Sequence, residues 1–241
     1  MDAAFDLTNL LRNWAWNSEQ FNVQWVDADD GRRLIQVRVE LGVLQMETTG
    51  RPDGLRPEGL DSYLHLCTDR LETDASTPID SKLCGALRDE ALQVFHRIAA
   101  ALTLGDLESV MHDADGILRR MDFCREFQGD NATFASLESL RPQAIMMRSR
   151  AGAELALAAG QHAAARRALS SGLEDLEACL GPVAFETCPE GQVLQSMHAL
   201  LIPRLPASQR VELQTRLSDA IARENFELAA ILRDEIRQLL D

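Results

Sequence analysis

Near its end the chain sets apolar residues at a helical period twice, with a break between. Leu213, Leu217 and Ile221 recur every four residues, and after Glu224-Asn225 the residues Leu228, Leu232, Ile236 and Leu239 repeat the pattern. This spacing predicts two short amphipathic helices forming a hairpin. Ser208, just after Pro206, stands where a cap for the first helix belongs, and Asn225 stands at the start of the second. Phe226 beside the turn is the natural plug between them, and the small pair Ala229-Ala230 lets the helices approach closely. A hairpin of roughly 35 residues buries too little apolar surface to be stable alone, because folds under about 40 residues usually need a staple or a partner. The chain must therefore provide, or recruit, a surface that covers this tail.

The same stretch resembles the UVR (UvrB/UvrC) motif. The matching residues are Leu213, Leu217, Ala220, the turn Glu224-Asn225-Phe226-Glu227, Ala229-Ala230, Leu232-Arg233-Asp234 and Ile236. That motif is known from the bacterial excision-repair helicase and incision-nuclease subunits and from some Clp-type ATPases and their adaptors. The resemblance covers about the last seventh of the chain. It implies a protein-protein contact element and a partner, not a reaction.

The balance of 24 basic and 38 acidic residues gives a net charge of -14, and the deficit is spread along the chain. No segment is basic. Affinity for nucleic acid rests largely on neutralising phosphates with Lys and Arg, so a dedicated DNA or RNA binder is disfavoured, and single-strand contact through the tail has little support. With 46% hydrophobic residues and scarce aromatics the chain reads as globular and mainly helical. The N-terminus has no basic region leading into an apolar run, and nowhere do 18 apolar residues occur together, so no membrane segment and a cytoplasmic location are expected. Cys67, Cys84, Cys124, Cys179 and Cys188 are odd in number and widely spaced, as buried hydrophobes or idle thiols would be.

At the N-terminal end, Leu7, Leu10, Leu11 and Trp14 have helical spacing, with Asp6 or Thr8 able to start the turn. The period then changes to two. Phe21, Val23 and Trp25 alternate, Asp29-Asp30-Gly31 supplies a turn, and Ile35, Val37, Val39 and Leu41 alternate again, which predicts a β-hairpin. Val43 to Met46 reads as an extension of the second strand or as cover for the hairpin. The stretch Gly50 to Gly59 is dense in Gly and Pro and carries Arg51, Asp53 and Arg56. Two readings stay open for it: a contact loop presenting those three residues to a partner or an anion, and a stiff connector. A helix is expected from Leu60 to Leu71, and residues 72–78 read as a linker.

Residues 82–180 are expected to be helical, with weak self-similarity. The run Arg97 to Glu108 lies over Gly152 to Ala163, each with a small-residue helix ending at Gly105 or Gly160. Tetratricopeptide-like helix pairs look like this, though the 55-residue spacing departs from their usual repeat and leaves room for a loop around Phe127 to Asn131. Gly181-Pro182 ends the last long helix, a short helix follows from Gln192 to Leu201, and Pro203 and Pro206 form a hinge to the tail.

No motif for catalysis emerges. His65, His96, His112, His162 and His198 form no His-Glu-x-x-His, and no Cys-x-x-Cys occurs, although such cysteine pairs are found in metal-dependent relatives within the adaptor branch of UVR proteins. His112-Asp113-Ala114-Asp115 reads as a solvated helix face, and Asp27, Asp29 and Asp30 as ordinary turn residues. Phosphate-binding loops, dinucleotide fingerprints and nucleophile elbows are all missing.

The expectation is a mainly α protein in three parts: an N-terminal α+β module with a β-hairpin (1–75), a tetratricopeptide-like helical bundle (76–206) and a C-terminal helical hairpin (207–241). Its leading function is non-catalytic, as an adaptor that uses no cofactor or metal. The tail would dock a partner through Leu213, Leu217, Ile221, Phe226, Leu232 and Ile236, with Arg233 and Asp234 setting register. By resemblance, that partner is an excision-repair subunit, a Clp-family ATPase or a second copy of the chain. The alternative makes the hairpin structural and places a small-ligand or enzymatic site near Arg51, Asp53 and Arg56.

Overall fold

The computed structural model describes residues 7–74, 80–128, 132–201, 207–222 and the single positions 228, 230, 232 and 233. The protein is mainly α, with a small three-stranded antiparallel sheet near its N-terminus. Helix α1 spans Thr8–Asn13, with Leu7 at the cap position making no side-chain cap bond, and Asp6 lies outside the described residues. Strands β1 (Val23–Asp27), β2 (Arg33–Val39) and β3 (Gly42–Glu47) follow in spatial order β1-β2-β3.

The sequence pattern anticipates β1, β2 and the turn between them, where Gly31 takes φ +83°. It does not anticipate β3 as a separate strand. The chain reverses at Glu40-Leu41, and Val43 to Met46 pairs back antiparallel with β2, Leu44 opposite Val37. Arg38 accounts for this turn. Its side chain is buried, and Nη1 donates to the carbonyls of Val39, Glu40 and Gly42, while Nε donates to Trp14 O at 3.0 Å. A guanidinium thus satisfies the turn's backbone in place of the short-loop residues that usually announce a hairpin.

On one face of the sheet Val23, Trp25, Ile35, Val37 and Met46 gather against Ala100 and Leu104 of helix α3 (Ser81–Leu104). The other face carries a ladder of amides: Gln24 Nε2 donates to Gln36 Oε1 at 3.1 Å, and Gln36 Nε2 to Gln45 Oε1 at 2.9 Å. Helix α2 runs over Tyr63–Thr73, started by Ser62, whose side chain accepts from the His65 amide at 3.0 Å.

The body then stacks α3, α4 (Leu107–Gln128), α6 (Arg141–Ala158), α7 (His162–Leu180) and α9 (Pro189–Leu201), with the short α5 (Ala132–Glu138) against α3 and α4, and α8 (Pro182–Phe185) against α7. Two hairpins close alike. Gly105 at φ +76° lets its amide reach Leu102 O while Asp106 N reaches Ala101 O; Gly160 at φ +72° does the same with Leu157 O, and Gln161 N with Ala156 O. Between α6 and α7 the approach is close enough that a Cβ on Gly172 would fall 2.2 Å from Ser149 Oγ. The core that results is continuous, with Leu87, Ile98, Ile117, Met121, Leu169, Leu176 and Leu194 all inaccessible to solvent. Each such side chain contributes on the order of 1.5–3 kcal/mol by leaving water. The loop expected around Phe127 to Asn131 lies partly within α4, which runs on through Gln128; residues 129–131 lie outside the described residues.

Four of the five thiols are buried, and only Cys179 is exposed. Burial pushes the Cys67 and Cys124 thiols up to about 12, and raises Cys84, whose sulfur lies 3.9 Å from that of Cys124. Burial raises the Cys179 thiol as well, but it alone of the five is exposed, so a neutral disulfide reagent applied to the folded protein is expected to label Cys179 first. Cys67, Cys84 and Cys124 should react only on denaturation. Rapid labelling of more than two thiols in the native state would contradict this packing.

Candidate protein-contact site

Helix α10 spans Ala207–Ala222, and the described positions 228, 230, 232 and 233 that follow are also helical. Ala220 and Leu232 are almost fully buried and close on each other with Leu213 and Leu217 around them. Among the described residues this small cluster shares no member with the main core, and in it the two helical stretches of the tail pack on one another. Residues 213, 217 and 220 follow the spacing of a single helix face, and that spacing splits the expected stripe. Ala220, not Ile221, faces the second segment; Ile221 lies about 100° further round and is 53% exposed. Of the other residues expected to meet a partner, Arg233 is exposed, while Phe226, Asp234 and Ile236 lie outside the described residues. So do the Asn225 cap and the side chain of Ser208.

The second candidate region, Gly50 to Gly59, sits between β3 and α2. Arg51 is buried, donates from Nε to Asp53 Oδ1 at 3.0 Å and from Nη1 to Glu90 Oε2 at 3.2 Å, and lays its guanidinium over the Tyr63 ring at 4.8 Å. Burial alone would raise the Asp53 carboxyl, but hydrogen bonds from Arg51, Gln93 and the Leu55 amide outweigh it and bring the group down to about 2. Arg56 stands apart on the surface, 3.4 Å from Asp61. The structure brings Arg51 and Asp53 together and leaves Arg56 outside that pair. A polar hollow of about 250 Å³ opens beside them, bordered by Arg32, Glu47, Thr49, Arg51, Arg56 and Asp61. All three of its arginines are already ion-paired, Arg32 with Asp30 and Glu47. An incoming anion would have to compete with carboxylates in place.

Behind this loop lies a buried polar network that the sequence reading misses. Glu90 on α3 has no solvent exposure; its Oε1 accepts from Arg120 Nε at 2.7 Å and from Nη2, and its Oε2 accepts from Arg51 and from the Tyr63 amide at 2.8 Å. One turn pair further along, Arg97 donates to both oxygens of Asp113 at 2.7 and 2.8 Å and to the carbonyls of Glu47 and Gly50 at 3.0 and 2.9 Å. Asp113 is therefore a buried ion-pair partner and not part of a solvated face, as the sequence reading has it. Its neighbours do lie outward: His112 is exposed, and Asp115 reaches Arg148 at 3.5 Å.

Among the described residues, no group of three or more His, Cys, Asp and Glu side chains is placed to hold a metal ion, and no helix is long and apolar enough to cross a membrane. The model of the UvrB/UvrC motif matches residues 208–241. The chain thus carries a UVR motif, and this is the stretch in which α10 and the segment after it close on Leu232. Such motifs mediate protein-protein or repair-related interactions. Among curated proteins and solved structures, none matches the chain.

Proposed function

We propose that this protein is a non-catalytic adaptor whose C-terminal UVR hairpin docks another protein, while the rest of the chain acts as scaffold. The observation that carries this reading is the tail's own packing. Leu213, Leu217, Ala220 and Leu232 are spent on holding the two helical segments together, and Ile221 is left exposed on a helix whose apolar cluster, among the described residues, shares no member with the core. A two-helix unit with an unspent apolar residue gains stability as well as function from a docking surface. In this reading Ile221, Phe226 and Ile236 meet the partner, Arg233 and Asp234 set the register, and Leu213, Leu217 and Leu232 keep the hairpin closed. Of the three parts of the chain, 1–75 and 76–206 work as one scaffold, because the Arg51–Glu90 ion pair and the hydrogen bonds of Arg97 to the Glu47 and Gly50 carbonyls cross between them. The tail, 207–241, is the appended contact element. An excision-repair subunit or a Clp-family ATPase in the cytoplasm fits the kinship of the motif.

The test keeps the full chain. Ile221→Asp changes an exposed side chain and leaves the Ala220–Leu232 contact in place, so the body and hairpin should hold their helicity. Captured from native lysate and compared with wild type by quantitative mass spectrometry, this variant and Phe226→Asp are expected to lose a common set of proteins at least about tenfold. That is the loss of a contact worth about 1.4 kcal/mol or more. Equal capture by all three proteins would remove the tail as the contact.

A further inference from the structure

Among the described residues β3 is an edge strand that pairs with β2 on one side only. On its other side the Glu47 amide donates to Pro52 O at 2.9 Å, which fixes the parity of the strand. In an antiparallel ladder alternate residues turn their N–H and C=O the same way, so Val43 and Gln45 direct theirs outward with Glu47, while Gly42, Leu44 and Met46 serve β2. Alongside this edge runs a groove of about 290 Å³, lined by Leu44, Met46, Pro52, Asp53, Gln93 and His96. Leu44 lies on the sheet face that meets α3 and is 42% exposed. Sheets commonly guard a free edge with Lys, Pro or a bulge, and the stretch from Val43 to Met46 has none of these.

We propose that this edge is the contact of a homodimer, in which β3 pairs antiparallel with β3 of a second copy about a two-fold axis through Leu44. Three features fit a second copy. The first is register: with Leu44 opposite Leu44, each Val43 stands opposite the other copy's Gln45, so the outward groups of both residues are satisfied by the same two residues across the axis. The second is fit. A two-fold axis perpendicular to the sheet keeps the faces in common, so each Leu44 enters the groove beside the other copy's Leu44 and Met46. The third is charge. In a chain of net charge -14, contact between copies must avoid like charges, and Val43 to Met46 is uncharged, while the neighbouring Glu47 is paired with Arg32. The glutamine ladder Gln24-Gln36-Gln45 also runs outward to this edge. The resulting sheet has six strands. An interface built on two short strands falls below the roughly 1,200 Å² of a standard complex, so the dimer is a weak one with a dissociation constant in the micromolar range. This contact is independent of the tail.

Sedimentation of the full chain from about 1 to about 100 µM, a span that brackets such a constant, reads the association directly. Wild type is expected to pass from monomer to dimer across it. Gln45→Pro removes an outward N–H that β2 does not use, at an edge position where proline is tolerated, and should weaken dimerisation more than tenfold at unchanged helicity. Leu44→Lys keeps every backbone donor but sets two ammonium groups together on the axis, and should do the same; it decides the matter if the proline variant misfolds. Ile221→Asp should dimerise as wild type does. A full chain that stays monomeric throughout overturns the proposal, as does a folded Gln45→Pro or Leu44→Lys that dimerises unchanged.

Discussion

Replacing Glu90 with alanine is expected to destabilise the protein by about 3–5 kcal/mol, the cost of removing one partner from a buried ion pair. The carboxylate has no solvent exposure and is shared by two guanidinium groups that are themselves nearly buried, Arg51 and Arg120. Alanine leaves both cations in the interior. Arg51 keeps Asp53, but Arg120 loses the oxygen that takes two of its N–H groups, and the Tyr63 amide at the head of α2 loses its acceptor. Against a typical total of about 5–15 kcal/mol for a domain, this single change removes a large fraction of the stability. Glu90→Gln keeps the shape and one acceptor oxygen while losing the charge, so it should fall between, at about 1.5–3 kcal/mol. Denaturant midpoints of the three proteins test the order. An alanine variant within about 1 kcal/mol of wild type would mean that the network does not hold the fold together.

The reason this network escapes a reading of the sequence is also the way it could have been found. Glu90 and Arg97 occupy the same helix stripe as Leu83, Leu87, Val94 and Ala101, spaced alternately by four and three, and all six are buried. On α4 the partners Asp113 and Arg120 fall in phase with Val110, Ile117 and Cys124. A charge in register with an apolar stripe must enter the core with the stripe, and opposite charges on consecutive helices then identify each other. By contrast, Asp115 and His112 fall out of phase and lie outward. The elements themselves were legible wherever a local rule sufficed: the glycine ends at Gly105 and Gly160, the turn at Gly31, the period of two in β1 and β2. The third strand was not, because its turn is held by Arg38, whose contacts come from tertiary structure. In the tail, the motif and the apolar stripes that carry Leu213, Leu217 and Leu232 are visible as period; the sequence reading gives these leucines to a partner, and in the structure they close on one another. That Ala220 and not Ile221 closes the hairpin follows from the drift of a four-residue spacing around a helix of 3.6 residues per turn.

Arg97 and Asp113 carry the second large effect, because the arginine of this ion pair also joins the sheet to the body through the Glu47 and Gly50 carbonyls. Arg97→Met or Asp113→Leu alone leaves the opposite charge buried and is expected to cost about 3–5 kcal/mol. Changing both removes the stranded charge, and well-packed apolar pairs in place of buried ion pairs are often neutral, so the double variant should recover most of that loss. It should not recover all of it. Arg97 also holds the Glu47 and Gly50 carbonyls, and each of those hydrogen bonds contributes about 0.5–1.5 kcal/mol that methionine cannot supply. The shortfall has a place in the molecule: the Glu47 and Arg51 amides, bonded to Pro52 O and Asp61 O, sit in the segment that Arg97 grips. Hydrogen exchange at these two amides should quicken in the Arg97→Met and double variants and remain closer to wild type in Asp113→Leu, while the midpoint of unfolding recovers only in the double variant. A double variant whose loss equals the sum of the two single losses would show that the buried charges are uncoupled, and that the sheet is held to the helices by its apolar contacts with Ala100 and Leu104 instead.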